Sequence, residues 1–300
     1  MTLLNPTPGR PAGDRSQAWK YAFRHLLVFI VIMAAWEAFV QAGGVDALIL
    51  PAPSTIAAAF YKIAISSGLI WSHFGLTMWE ALMGFVIGSV IGVGLAIAAA
   101  LWEPFRRYVS PYVNALQVTP RIALAPLVIA WLGFGLSPKI AIAALVCFFP
   151  PFINTLTGLL DVDQDKLEMF RSLRARRKQI FFELMLPEAL PIIMAGLKTA
   201  MSFALIGAIV AEFVSASAGM GILMQRFTFA LNMSASFAVL FCLMLMGLLL
   251  FWVMEIADNR LVFWRHDARL AQISRKQAAK FARFMPARKT TPAAQPAPAE

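Results

Sequence analysis

Cysteine, histidine and charge are all scarce in this 300-residue chain, which has two cysteines, three histidines and only 14% charged residues. Cys147 and Cys242 lie inside separate apolar runs, so no cysteine spacing supports a disulfide framework or a zinc site. His25, His73 and His266 are scattered, and no cluster of His, Asp or Cys offers a metal centre or a catalytic constellation. No G-x-x-x-x-G-K-[ST] stretch occurs, which excludes a P-loop and ATP hydrolysis by this chain. The low charge goes with 60% hydrophobic residues, against the roughly 45–50% typical of soluble domains with glycine counted. A water-soluble domain cannot bury that excess, and the same excess excludes disorder of the whole chain.

What is present instead is long apolar runs. A helix crossing a bilayer needs roughly 20 mostly apolar residues, and six stretches qualify: 24–41, 76–101, 109–132, 138–160, 189–213 and 236–257. The first follows more than twenty mostly polar residues and precedes no small-x-small cleavage site, so it reads as a retained span, not a signal peptide. Basic residues set the orientation. Of the 26 lysines and arginines, 21 fall in the N-terminal segment through Arg24, the second-to-third loop, the fourth-to-fifth loop and the C-terminal tail. Lys62, Lys139 and Arg226 are the basic residues of the opposite side, while Arg121 and Lys198 lie within spans. The expectation is an all-α integral membrane protein of six transmembrane helices with both termini in the cytoplasm. Trp71, Trp79, Trp102 and Trp131 stand at span ends, as interfacial anchors do.

The spans carry further signals. Gly84, Gly88 and Gly92 recur four residues apart, a stripe that lets another helix approach closely. Pro111, Pro120 and Pro126 interrupt the third span and Pro150–Pro151 the fourth. Each removes a backbone donor, so neighbours or cavity water must satisfy the freed carbonyls. Glu37, Glu80, Arg121, Lys198, Glu212 and Glu255 are ionisable residues inside or at the ends of spans, where such groups face a bundle interior or a water-filled path. Lys198, Ser202 and Glu212 share a face of the fifth span, turned to a pathway, a partner subunit or a neighbouring helix. With Arg121 and Asn154 they are the candidates for lining a translocation path. No inverted repeat, midplane carboxylate pair or ring of charges points to a secondary transporter or channel driven by an ion gradient. That class is the alternative to keep in view.

Outside, Ser54 is placed to cap a short helix carrying Ile56, Phe60 and Ile63. The loop 214–235, with Gly219, Gly221, Arg226 and Asn232, is expected to face a partner. Inside, residues 161–187 combine aspartates that favour a helix start, a basic run, and apolar residues at helical intervals (Leu167, Phe170, Leu173, then Ile180, Phe181, Leu184). They read as an amphipathic helical hairpin on the inner membrane surface.

This loop resembles the EAA loop of bacterial ABC importer permeases, of the form E-A-A-x3-G-x9-I-x-L-P. Glu168, Met169 and Phe170 occupy the E-A-A positions, Arg174 the glycine, Leu184 the isoleucine, and Leu186-Pro187 the closing pair. Leu50-Pro-Ala-Pro-Ser54, Ile122-Ala-Leu-Ala-Pro-Leu127, Trp131-Leu-Gly-Phe-Gly135 and Ala211-Glu-Phe213 resemble the nitrate/sulfonate/taurine/thiamine-precursor branch. The resemblance implies a type I importer-like permease fold in which Glu168, Met169, Phe170, Arg171, Leu173, Arg174, Leu184 and Pro187 couple to an ATPase. Arginine in place of glycine implies a differently shaped turn or an added charge facing that ATPase.

The implied assembly has a second copy of the chain, two cytoplasmic ATPase subunits that bind ATP and Mg, and a periplasmic binding protein. The implied cargo is a small polar or anionic solute, of the nitrate, sulfonate or taurine type or the pyrimidine or vitamin-precursor type. The chain then divides into a cytoplasmic tail (1–23), a permease domain (24–257) and a basic cytoplasmic tail (258–300), disordered after about 285. Residues 264–284 of that tail have the spacing of a basic amphipathic helix suited to an anionic membrane surface. Nine of the ten excess positive charges lie in residues 1–24 and 258–300. The net charge is therefore a record of membrane topology, and no nucleic-acid partner is needed to explain it.

Overall fold

The computed structural model describes residues 15–264 except residue 216; the expected C-terminal amphipathic helix lies almost wholly outside the described residues. The described residues are helical throughout their regular structure: α1 (Arg15–Gln41), α2 (Pro53–Phe60), α3 (Leu69–Leu101), α4 (Glu103–Val118), α5 (Ala125–Leu132), α6 (Leu136–Cys147), α7 (Phe149–Leu160), α8 (Gln164–Ser172), α9 (Arg177–Gln179), α10 (Leu186–Ser215), α11 (Met220–Phe229) and α12 (Met233–Leu261). Among them are five candidate spans, or six if the bent pair Glu103–Val118 and Arg121–Leu132 is one.

The α6–α7 span is the centre of the bundle, gripped on one side by α3 and on the other by α10. Glycines make both contacts. A methyl group on Gly88 would stand 2.6 Å from the Ala144 carbonyl, and one on Gly92 equally close to that of Phe148. From the other side, a methyl on Gly207 would stand 2.8 Å from Ala143 Cα, and one on Gly196 would be 2.9 Å from the Pro150 carbonyl. The expected stripe on α3 therefore does pack a neighbouring helix, in the manner that substitutes close contact for a hydrophobic drive in lipid. By contrast, no residue in the most apolar window of the first span is buried within the chain, as for a helix surrounded by lipid or a partner. Trp71, Trp79, Trp102 and Trp131 are all exposed.

Three expectations need correction. The stretch 109–132 is not one kinked helix: two segments meet at 89°. Pro120 explains the break, because proline drives the preceding residue out of the helical region; Thr119 is extended at φ −68°, ψ 130°. Pro150 and Pro151 disturb less, sitting in the first turn of α7, where the missing N–H has least effect. Second, the inner loop is not a hairpin separate from the fifth span. From Arg177 the chain runs on through a π-helical turn (Ile180–Met185) into α10, as one helical rod to Ser215. Third, Ser54 does not cap α2. The cap position is Ala52, with no side-chain bond; Ser54 instead gives its amide (3.0 Å) and hydroxyl (2.6 Å) to the Glu37 carboxylate of α1. A carboxylate at a helix N-terminus is the favourable end of the helix dipole.

Candidate functional site

Asp163 opens α8 by accepting the amide of Asp165 at 3.0 Å, a side-chain cap. The helix closes on a pair of bonds: Ala175 N–H donates to Phe170 O at 3.0 Å, and Arg174 N–H to Arg171 O at 2.9 Å. That is the Schellman pattern, which requires a left-handed residue between the two limbs. Arg174 supplies it at φ +55°. The arginine has thus adopted the backbone shape that glycine would take, and the alternative of a differently shaped turn is overturned. A non-glycine residue there costs roughly 1–2 kcal/mol. The next limb is capped by the Gln179 side-chain carbonyl, which accepts the Arg176 amide at 2.8 Å.

Most of the expected coupling residues lie exposed in α8 and the turn that follows it. Glu168, Met169, Arg171, Leu173 and Arg174 are exposed, with Leu173 73% accessible, while Phe170 is half-buried behind them. Leu184 is buried and Pro187 half-buried in the rod that supports the turn. Lys166 ties α8 to that rod through Glu188 at 2.7 Å; the Glu188 carboxylate beside it holds the ammonium above the usual lysine range. The exposed turn is therefore joined to α10 by a continuous helix and an ion pair.

The candidate path residues have separate partner sets. Arg121 donates to Val146 O at 3.1 Å and lies over the Phe149 ring, 5.3 Å from its centroid. Asn154 donates to Pro150 O at 2.9 Å. Lys198 is gripped by Glu255 (2.5 Å) and Asp258 (2.6 Å) of α12. Ser202 is exposed, and Glu212 is fully buried.

Around Glu212 lies a polar knot that sequence reasoning did not assemble. Its carboxylate accepts from Thr77 Oγ1 (2.6 Å) and from the Gly221 amide (2.5 Å). Met220 N donates to Thr77 Oγ1 at 2.8 Å, and Gly219 N to His73 Nδ1 at 2.9 Å. Lys139 pairs with Glu80 at 2.7 Å and reaches Ala218 O at 3.2 Å, with both charged side chains buried. Gly219 and Gly221, expected to face a partner, are turned inward onto this knot, while Arg226 stays exposed. The available signal was the spacing of His73, Thr77 and Glu80, one polar face of α3. An open cleft of about 490 Å³ beside the knot is lined by Leu76, Phe134, Leu136, Lys139 and Ser217, among others.

A bundle of apolar helices gripping a central span, with an exposed turn on a continuous rod, defines a multi-pass membrane protein. Residues 88–263 match the family described as the binding-protein-dependent transport system inner membrane component, and the chain belongs to this family as a permease subunit of an ABC importer. The chain is 32% identical to the formylaminopyrimidine transport permease protein ThiX of Halalkalibacterium halodurans over 81% of its length and 96% of that protein. It is 33% identical to the riboflavin transport system permease protein RibX of Chloroflexus aurantiacus, over 79% of its length and 88% of that protein. An amino acid ABC transporter crystal structure shares the fold with a TM-score of 0.57 at 15% identity, covering 67% of this chain and 98% of that one.

Proposed function

We propose that the chain forms half of the pathway for a small polar or anionic solute, with six spans, both termini in the cytoplasm and the pathway on the two-fold axis of a homodimer. The bent pair from Glu103 to Leu132 then counts as the third span. In this reading the tails 1–23 and 258–300 flank a permease domain at 24–257 in the bacterial inner membrane. Two cytoplasmic ATPase subunits bind ATP and Mg and hydrolyse the nucleotide, while a periplasmic binding protein delivers the solute to the opposite face.

The observation that carries the reading is the exposed turn centred on Arg174. Glu168, Met169, Phe170, Arg171, Leu173 and Arg174 engage the ATPase, and Leu184 and Pro187 pass its movement to the fifth span. Arg121, Asn154, Lys198, Ser202 and Glu212 hold the pathway walls. Relatives of similar identity are named for a formylaminopyrimidine and for riboflavin, so kinship alone leaves the choice of solute to the binding protein. The test is uptake by vesicles carrying the chain with its cognate ATPase and binding protein. Uptake is expected to stop on ATP depletion and to survive collapse of the ion gradients; the reverse outcome supports a gradient-driven carrier. Labelling of a cysteine at position 174 from the cytoplasmic side alone checks the orientation.

A further inference from the structure

Residues 171–178 hold five cations, Arg171, Arg174, Arg176, Arg177 and Lys178, and no acidic residue. All five are exposed, and none forms an ion pair among the described residues. Lys166 of the same loop differs, because it is tied to Glu188 at 2.7 Å and lies 3.8 Å from Asp163. Residues 1–14 and 265–300 contain nine basic residues against three acidic ones, so the rest of the chain has little with which to neutralise the five. Arg174 adds a second mark. It brings its charge on a left-handed backbone at φ +55°, a strained shape for a residue with a Cβ.

Anionic lipid does not account for these charges. The exposed Lys166–Glu188 pair marks a level outside the hydrocarbon. Arg177 stands eleven residues before Glu188 on the same helical rod, roughly 16 Å further out at about 1.5 Å per residue. A headgroup layer is roughly 5–8 Å deep, so Arg177 and its neighbours Arg176 and Lys178 clear the lipid by about a Debye length at physiological salt. Beside the cations, Leu173 is 73% and Met169 51% accessible, apolar surface that a charged headgroup does not cover.

We propose that the five cations meet carboxylates: the ATPase surface that receives this turn is an acidic cleft with apolar contact for Leu173 and Met169. This partner chemistry rests on the assignment of the turn to ATPase coupling. Opposite potentials steer the encounter and make the association rate salt-dependent, while close contact at the docked surface governs how long the complex lasts.

The test is the association rate of the cognate ATPase subunits with the purified full chain in phosphatidylcholine nanodiscs, measured by biolayer interferometry at low and at high salt. The rate is expected to fall on the order of tenfold at high salt, with dissociation little changed. Arg176→Gln, Arg177→Gln and Lys178→Gln together should slow association about tenfold at low salt and flatten the salt dependence. Arg106→Gln with Arg107→Gln, which removes cations from the other inner loop, should change neither. The salt series on the wild-type chain stands even if the triple variant fails to fold. A salt-independent rate, a folded triple variant that binds as wild type does, or an equal loss in the Arg106 and Arg107 variant overturns the acidic cleft and leaves the coupling assignment intact. An effect confined to nanodiscs containing phosphatidylglycerol assigns the cations to lipid and overturns it too. No binding of the ATPase subunits at any salt overturns the coupling assignment itself.

Discussion

Arg121 donates its guanidinium N–H to the carbonyl of Val146, and Val146 is the residue whose helical donor, four positions on, is Pro150. Proline has no N–H to offer, so a charged side chain from the bent third stretch completes a bond that the fourth lacks. The stretch's own break, at Pro120, places Arg121 in the 3-10 turn Arg121–Leu124 that makes this reach. Two proline defects are thus joined by one arginine, whose charge also rests on the Phe149 ring. Replacing it with methionine keeps the apolar stem and removes the donor. Arg121→Met is expected to destabilise the purified protein by about 1–3 kcal/mol, the penalty of leaving a buried acceptor unmet. Thermal unfolding in detergent measures this, and an unchanged midpoint would remove Arg121 from its bracing role.

The buried pair of Lys139 and Glu80 makes a second prediction. Removing one partner strands the other charge away from water, at about 3–5 kcal/mol, whereas replacing both with apolar residues of similar volume can be close to neutral. Glu80→Leu and Lys139→Met should each sharply lower the thermal midpoint and the yield of folded protein. The double variant should be more stable than either. Simple addition of the two single losses would show that the charges do not act as a pair.

These two ties also mark where sequence reading stops. The apolar runs, the glycine stripe of α3 and the inner loop were legible because each is a local pattern of period or spacing. That Arg174 would keep the glycine-type turn was not legible, since the residue type argues against a left-handed backbone and only the paired bonds from Ala175 and Arg174 impose it. Pairings such as Lys139 with Glu80, 59 positions apart, depend on which helices meet. Period alone shows that His73, Thr77 and Glu80 share a face, not that Glu212 and the Gly219–Gly221 turn fold onto it.

Gly219 and Gly75 offer a paired comparison. A methyl group on Gly219 would overlap the Glu212 carboxylate, and the backbone there lies at φ +129°, a region L-residues rarely adopt. Gly75 lies within α3 with nothing within 4 Å of such a methyl. Gly219→Ala is therefore expected to break the polar knot and lower the thermal midpoint. Gly75→Ala should raise stability by about 0.5–1 kcal/mol through the better helix propensity of alanine. Equal effects of the two would mean that the knot does not hold the 214–221 segment.

Arg174 allows turn shape to be separated from charge. Arg174→Gly keeps the left-handed backbone at lower strain and removes the cation, so the chain should become more stable by about 1 kcal/mol. A β-branched residue is poorly tolerated at positive φ, and Arg174→Val should destabilise the turn and move Met169 and Leu173 from their present surface. With the ATPase subunits reconstituted, ATP-driven uptake should survive in Arg174→Gly if the turn's shape is what couples, and fall in Arg174→Val. If uptake falls equally in both variants while the glycine variant remains the more stable, the positive charge at 174 is the coupling feature and the shape argument fails.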